Sequence, residues 1–347
     1  MNISTVDKKY ILNNLSDNLS ALRNTTIFIT GATGFFGKWL LESFLYLNGV
    51  LKLNTHIFAL SRDPEKFLET FPFYKNEKCI TWLKGDIKSF EFPEANFDYI
   101  IHAATDSDAK LNSENPLAML DTINEGTRRI LEFAKDQPGL KALLFTSSGA
   151  VYGKQPENVF RISEKDNFYL DLNNPGSAYA EGKRLAELYC SIYAKHFLVP
   201  VVIARCFAFV GPHLPLNKHY AIGNFIRDGL NGHNITISGD GTPQRSYMYA
   251  ADLVIWLVTL LIRGNIGEAY NVGSDIPISI SELAYKIAEL FPGVSVNILN
   301  QTRATDRNQN YVPDVLKFKT KFEFNQNIEL DIAIKRTLEF YKNINSE

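Results

Sequence analysis

The stretch Ile27-Phe28-Ile29-Thr30-Gly31-Ala32-Thr33-Gly34-Phe35-Phe36-Gly37 decides the fold. Ile27, Phe28 and Ile29 form a short apolar, β-rich run of the kind buried on both faces of a parallel sheet. It runs into a turn spaced Gly-x-x-Gly-x-x-Gly and then into an apolar helix, Phe35 to Leu47. At such a turn the backbone must approach a pyrophosphate closely, and side chains would block it. The helix start then offers unpaired N–H groups and the positive end of a dipole. Gly31, Thr33, Gly34, Phe35, Phe36 and Gly37 are therefore the expected cradle of a dinucleotide.

The rhythm repeats outward from this turn. Strands are expected at Ile57–Leu60, Cys79–Leu83, Tyr99–His102, Ala142–Thr146 and Val201–Ala204. Helices are expected at 117–135 and 180–197, with an added helix over 4–23 capped by Ser4 or Asp7. Alternating strands and helices predict an α/β fold with a Rossmann-type, doubly wound parallel sheet. After about residue 206 the pattern breaks into a Gly-, Pro-, Asn- and His-rich stretch over 211–247. A helix over 278–290, capped by Ser279 or Ser281, and a strand over 294–299 suggest a smaller C-terminal α/β lobe. The division expected is an N-terminal helix (1–24), a dinucleotide domain (25–205, with 249–272 returning to it), and a substrate lobe (206–248 and 273–347).

Net charge −2 over 347 residues gives no global positive field, which argues against nucleic acid or an anionic membrane as partner. The longest apolar run, Leu253–Ile262, falls short of the ~20 residues a bilayer requires and reads as a buried helix starting near Asp252. Cys79, Cys190 and Cys206 have no metal spacing, so no metal is expected. With no signal peptide evident, the expectation is a cytoplasmic protein.

Two further segments carry chemistry. Tyr179-Ala180-Glu181-Gly182-Lys183 puts a phenol and an ammonium on one helix face. The ammonium can lower the phenol pKa, so that Tyr179 can act as general acid or base. The strand ending at Thr146 delivers the hydroxyls of Ser147 and Ser148 to the sheet's C-terminal edge, where open α/β folds bind ligands. A serine there can hydrogen-bond the substrate oxygen that Tyr179 protonates; for one of the two, a turn or capping role is the simpler reading. The second strand ends in Ser61 and Arg62, where an NAD-binding fold carries an acid for the ribose. A hydroxyl and a guanidinium suit a 2′-phosphate better, which favours NADP over NAD. The competing reading leaves Arg62 in solvent and gives the ribose to Asp63.

In order and spacing these motifs, together with Gly85-Asp86-Ile87, His102-Ala103-Ala104 and Gly239–Tyr247, resemble the extended short-chain dehydrogenase/reductase family and its nucleotide-sugar epimerase/dehydratase branch. The resemblance runs from about residue 25 to near the end of the chain. It implies a catalytic set of Tyr179, Lys183 and Ser148. It places Asp86 and Ile87 at the adenine, with Ala103, Ala104 and Thr146 along the cofactor. Ser147, Ser148, Gly149, Asn224, Arg245 and Arg307 would face the sugar nucleotide, with Arg303 as an additional candidate. It also implies a homodimer paired through helices 117–135 and 180–197. Three departures stand out. Gly149 and Ala150 replace the Asp and Glu that many 4,6-dehydratases use to remove water, and decarboxylases of the branch usually keep a Glu at the Ala150 position. Ala208 stands where the branch carries an Asn that contacts the diphosphate, and Ile123 displaces another Asn. The expected function is hydride transfer at C4 of a nucleoside-diphosphate hexose, by a 4-ketoreductase or 4-epimerase. A dehydratase is the alternative within the branch. A non-catalytic dinucleotide sensor is the alternative outside it, and retention of both Tyr179 and Lys183 argues against that.

Overall fold

A computed structural model describes residues 2–105, 109–218, 220–299, 310–324 and 328–344. Seven parallel strands form the main sheet: β1 (Thr26–Thr30), β2 (His56–Ser61), β3 (Ile80–Lys84), β4 (Tyr99–His102), β5 (Ala142–Ser148), β6 (Val201–Cys206) and β7 (Ala269–Val272). Their order across the sheet is β7-β6-β5-β4-β1-β2-β3. The chain winds outward from β1 in one direction to β3, then returns past β1 to build the other half from β4. Helices cover both faces, which is why the inner strands are apolar on both sides; β4 and β5 are buried along their whole length. The reversal between β1 and β4 opens a crevice at the strands' C-terminal ends, the usual ligand site of such sheets.

The helices used below are α1 (Thr5–Leu15), α2 (Phe35–Leu51), α3 (Pro116–Lys135), α4 (Ala178–His196), α5 (Ala221–Leu230), α6 (Ala250–Arg263), α7 (Ile280–Ala288) and α8 (Leu330–Ile344). The helix expected over 4–23 stops at Leu15 and tightens into a 3-10 segment, Ser16–Leu22. Ser4 caps its start, accepting from the Asp7 N–H at 3.0 Å. The expected helix near Asp252 begins at Ala250, and its residues 250–261 are all buried. Ser279 caps α7 in a reciprocal capping box with Glu282. Strand β7 has no counterpart among the sequence-based expectations, because Ala269-Tyr270-Asn271-Val272 contains a buried polar residue. Beyond the sheet, α5 and α7 pack together and against the parallel pair Ile235–Ile237 and Val296–Ile298. Among the described residues no helix is long and apolar enough to cross a membrane.

Helix α1 is fastened to the body by polar contacts in a mostly apolar interface. Tyr10 donates to Asp252 at 2.6 Å, and the buried Asp7 accepts from Tyr249 at 2.9 Å and pairs with Arg336 of α8. One carboxylate thus joins the two ends of the described chain. Removing a partner from such a pair leaves the other desolvated and costs roughly 3 kcal/mol. Arg336→Ala is expected to lower the urea midpoint by an amount corresponding to about that loss, because it strands the Asp7 carboxylate, 1% exposed, while Asp7→Ala costs less because the arginine it strands is 28% exposed.

Candidate active site

The glycine turn is built by backbone crowding. Gly31 has φ +70°, and a Cβ there would lie 2.5 Å from the Ala103 carbonyl oxygen at the end of β4. A Cβ on Gly37 would lie 2.3 Å from the carbonyl oxygens of Gly31 and Ala32. These two glycines let α2 start directly above the β1–β4 crevice. At Gly34, by contrast, a Cβ would meet only the Gly31 oxygen, at 3.3 Å, and no side chain caps the start of α2. The open side of Gly34 and the uncapped helix start fit a pyrophosphate.

The other cofactor candidates come to the same edge. Ser61 ends β2, nearly buried, with Arg62 exposed beyond it. Asp86 and Ile87 follow β3, and Ala103 and Ala104 follow β4. Asp63 is committed elsewhere: its carboxylate accepts the Lys66 N–H at 3.1 Å and caps the helix Pro64–Thr70.

His102 locks this edge. It is fully buried between Thr30, at 2.8 Å from its Nδ1, and Thr127, at 3.2 Å from its Nε2. Burial, with a smaller contribution from nearby Lys183, lowers its pKa to about 3, so it is neutral. Thr30 in turn accepts from the Ala104 N–H at 3.1 Å, which fixes the loop facing Gly31.

Lys183 lies one helical turn beyond Tyr179 on α4, at the foot of the crevice. Its ammonium donates to the Thr105 hydroxyl and the Thr146 carbonyl, both at 2.8 Å, and lies 4.8 Å from the centre of the Phe145 ring. Only 1% of the residue is exposed. Burial lowers its pKa to about 8, against smaller opposing effects from Cys206 and Glu187. Tyr179 is half-buried; desolvation holds its phenol above the usual range, opposed by a hydrogen bond with Ser148. Tyr179 therefore meets Ser148, with Lys183 one helical turn away and directed at Thr105 and Thr146, and the Tyr179 phenol requires further stabilisation before it can ionise near neutrality.

Ser147 and Ser148 diverge because neighbours on a strand point to opposite faces. Ser148 Oγ accepts the Ala150 N–H at 3.1 Å, starting the 3-10 turn Gly149–Tyr152 at the mouth of the crevice. Ser147 instead donates to Glu187 of α4 at 2.6 Å. Glu187 also binds Arg205 of β6 at 2.7 Å, and Arg205 donates to the Tyr152 hydroxyl at 3.0 Å. The turn is held from outside by Arg184, which donates to the Val151 carbonyl at 2.6 Å. Thr146 uses its hydroxyl on the His102 carbonyl, at 3.1 Å.

Asn224 lies on α5, accepting from Arg227 at 3.2 Å, and Arg245 lies in the 239–247 segment, half-buried. Arg303 and Arg307 lie outside the described residues. Sequence reasoning names His102 only as part of the His102–Ala104 motif, with no role of its own, and misses Thr105, Glu187 and Tyr311. Thr105 directly follows that motif, but Tyr311 has no local signal. Among the described residues no cluster of His, Cys, Asp and Glu could hold a metal.

Residues 27–273 match the NAD dependent epimerase/dehydratase family. The chain belongs to that family. It is an NAD(P)-dependent enzyme of the extended short-chain dehydrogenase/reductase type. Among family members, a UDP-glucuronic acid decarboxylase of Xenopus tropicalis is 30% identical over 93% of this chain and 74% of its own length. A UDP-N-acetyl-alpha-D-glucosaminuronate decarboxylase of Bacillus cytotoxicus is 28% identical over 92% of this chain and 98% of its own. Of solved structures, an epimerase of Methanothermobacter thermautotrophicus superposes with TM-score 0.80 at 23% identity, covering 96% of this chain and 97% of that one. These likenesses agree with the doubly wound sheet described above.

The buried lysine has a thermodynamic signature. Its folded pKa of about 8 lies below the ordinary lysine value of 10.5, so the cost of burying the charge is present in full below about pH 8. Between those values the unfolded chain binds the extra proton, and stability gains from this group as pH rises. Lys183→Met lacks this gain. Its melting temperature relative to wild type is therefore expected to fall steadily from pH 7.5 to 10; a pH-independent difference would refute the assignment.

Proposed function

We propose that this family member moves hydride at C4 of a nucleoside-diphosphate hexose, as a 4-ketoreductase or 4-epimerase. One observation carries the reading. Ser148, hydrogen-bonded with Tyr179, starts the turn Gly149–Tyr152, and Gly149 and Ala150 in that turn offer no carboxyl group. The residues of the glycine turn and crevice would hold the dinucleotide, whose nicotinamide accepts or supplies the hydride when bound. Tyr179 takes the proton from the sugar hydroxyl, or returns it to the ketone. Lys183 supplies the positive charge that brings the phenol toward working pH, and Ser148 orients the sugar oxygen. Asn224 and Arg245 would receive the nucleotide, and a guanidinium suits the diphosphate.

The names of the relatives favour a second reading, decarboxylation or dehydration. Against it, elimination across C5 and C6 needs an acid and a base beside the sugar, and positions 149 and 150 supply neither. Glu187 is spent on Ser147 and Arg205, and Glu164 accepts the Asn271 N–H at 2.9 Å.

For the cofactor we favour NADP over NAD. Asp63 caps its own helix, which leaves Arg62 and Ser61 at the lip to meet a 2′-phosphate. A homodimer through α3 and α4 fits the apolar Leu117, Leu188 and Ile192 left exposed on them.

Tyr179→Phe is expected to cut turnover of the true nucleotide sugar by at least about a thousandfold while leaving dinucleotide binding intact. Full retained turnover would remove Tyr179 from the mechanism, and release of a 4-keto-6-deoxy sugar or a pentose would sink the hydride-only reading. By fluorescence titration, wild type should bind NADPH at least about tenfold more tightly than NADH, and Arg62→Ala should abolish the difference. Tighter NADH binding by wild type would reverse the cofactor assignment.

A further inference from the structure

Although Gly149 leaves its turn without a side chain, the space above it is filled. A Cβ built on Gly149 would stand 2.6 Å from the Tyr311 hydroxyl and 2.7 Å from the ring edge of Phe207. Tyr311 arrives from a remote part of the chain. Its N–H donates to the Gln244 carbonyl at 3.0 Å, and it forms a β-bridge with Arg245. The Asn310 side chain accepts the Gln244 N–H at 2.9 Å, securing the same junction. The Tyr311 ring lies against Phe207, centroids 4.6 Å apart.

The hydroxyl of Tyr311 reaches toward the Cys206 carbonyl, at 3.5 Å, and shares Ser148 with Tyr179. A single serine hydroxyl therefore stands between two phenols. Desolvation holds the Tyr311 phenol above its usual range, so it stays protonated, and its one proton is directed at the Cys206 carbonyl.

We propose that Tyr311 is a specificity-determining residue of this site: seated by its bridge to Arg245, it fills with Phe207 the volume that a carboxyl side chain at position 149 would need. The proposal rests on the hydride-transfer reading and sharpens its substrate class. A site plugged in this way accepts nucleoside-diphosphate hexoses that exchange a proton only at the C4 oxygen, since position 149 can place no carboxyl group toward C5 and C6.

The test is a kinetic double-mutant cycle with UDP-glucose, UDP-galactose, UDP-glucuronate and dTDP-4-keto-6-deoxyglucose as probes, each with NAD(H) and NADP(H). For whichever probe wild type turns over, Gly149→Asp should lower kcat/KM at least about a hundredfold, and adding Tyr311→Ala should recover at least about tenfold of that loss, because the new side chain then has room. Additive losses in the double variant would overturn the proposal.

A second arm needs no substrate. Gly149→Ala should lower the melting temperature, and Tyr311→Phe should recover part of that loss in the double variant. If wild type turns over none of the probes, the functional reading fails and this melting cycle alone decides whether Tyr311 holds the volume over Gly149. A Gly149→Ala variant as stable as wild type, or no coupling with Tyr311, would overturn the placement.

Discussion

An ammonium group buried at the foot of a crevice organises this enzyme. Lys183 is held by one hydroxyl and one carbonyl, 2.8 Å from each, with an aromatic ring below it. Burying such a charge is costly, and the surroundings reduce the cost only in part, so its pKa falls to about 8. The buried charge sits one helical turn from a phenol that desolvation drives the other way. Strained ionisation equilibria of this kind concentrate at functional sites.

Everything around Lys183 keeps that geometry rigid. His102, neutral and buried, joins β1 and α3 to the loop that carries Ala103 and Ala104. Glu187 and Arg205 tie α4 to β6 and, through Tyr152, to the turn that follows Ser148. Tyr152 continues to Asn271 of β7 at 2.6 Å, and Asn271 donates to the carbonyls of Ile162 and Asp314. One polar network thus connects the Gly149–Tyr152 turn, the edge strand of the sheet and the segment just beyond Tyr311. Such a network supports a single arrangement only when its members are satisfied, and these are.

Much of the fold was legible because its signals are local. Strands buried on both faces must be apolar throughout, so β1, β2, β4, β5 and β6 appear as uninterrupted runs. Strand β7 escaped because Asn271 is buried for the sake of partners far away in the chain. The single helix expected over 4–23 broke at Ser16, where apolar spacing persists although the backbone tightens.

The sequence by itself determined the glycine turn and the placement of Tyr179 and Lys183 on one helix face, since residues spaced along one turn or one helix share a side whatever the remainder does. Tertiary structure alone decided which serine faces the crevice and what fills the room above Gly149. The first depends on the pleat of β5, and Glu187 claims Ser147 from behind. The second depends on Tyr311, brought in by pairing with the Gln244-Arg245 strand, and no local pattern encodes that approach. Contacts between distant segments are set by how the packed layers meet, and a single chain read in order carries no record of which residues will face one another there.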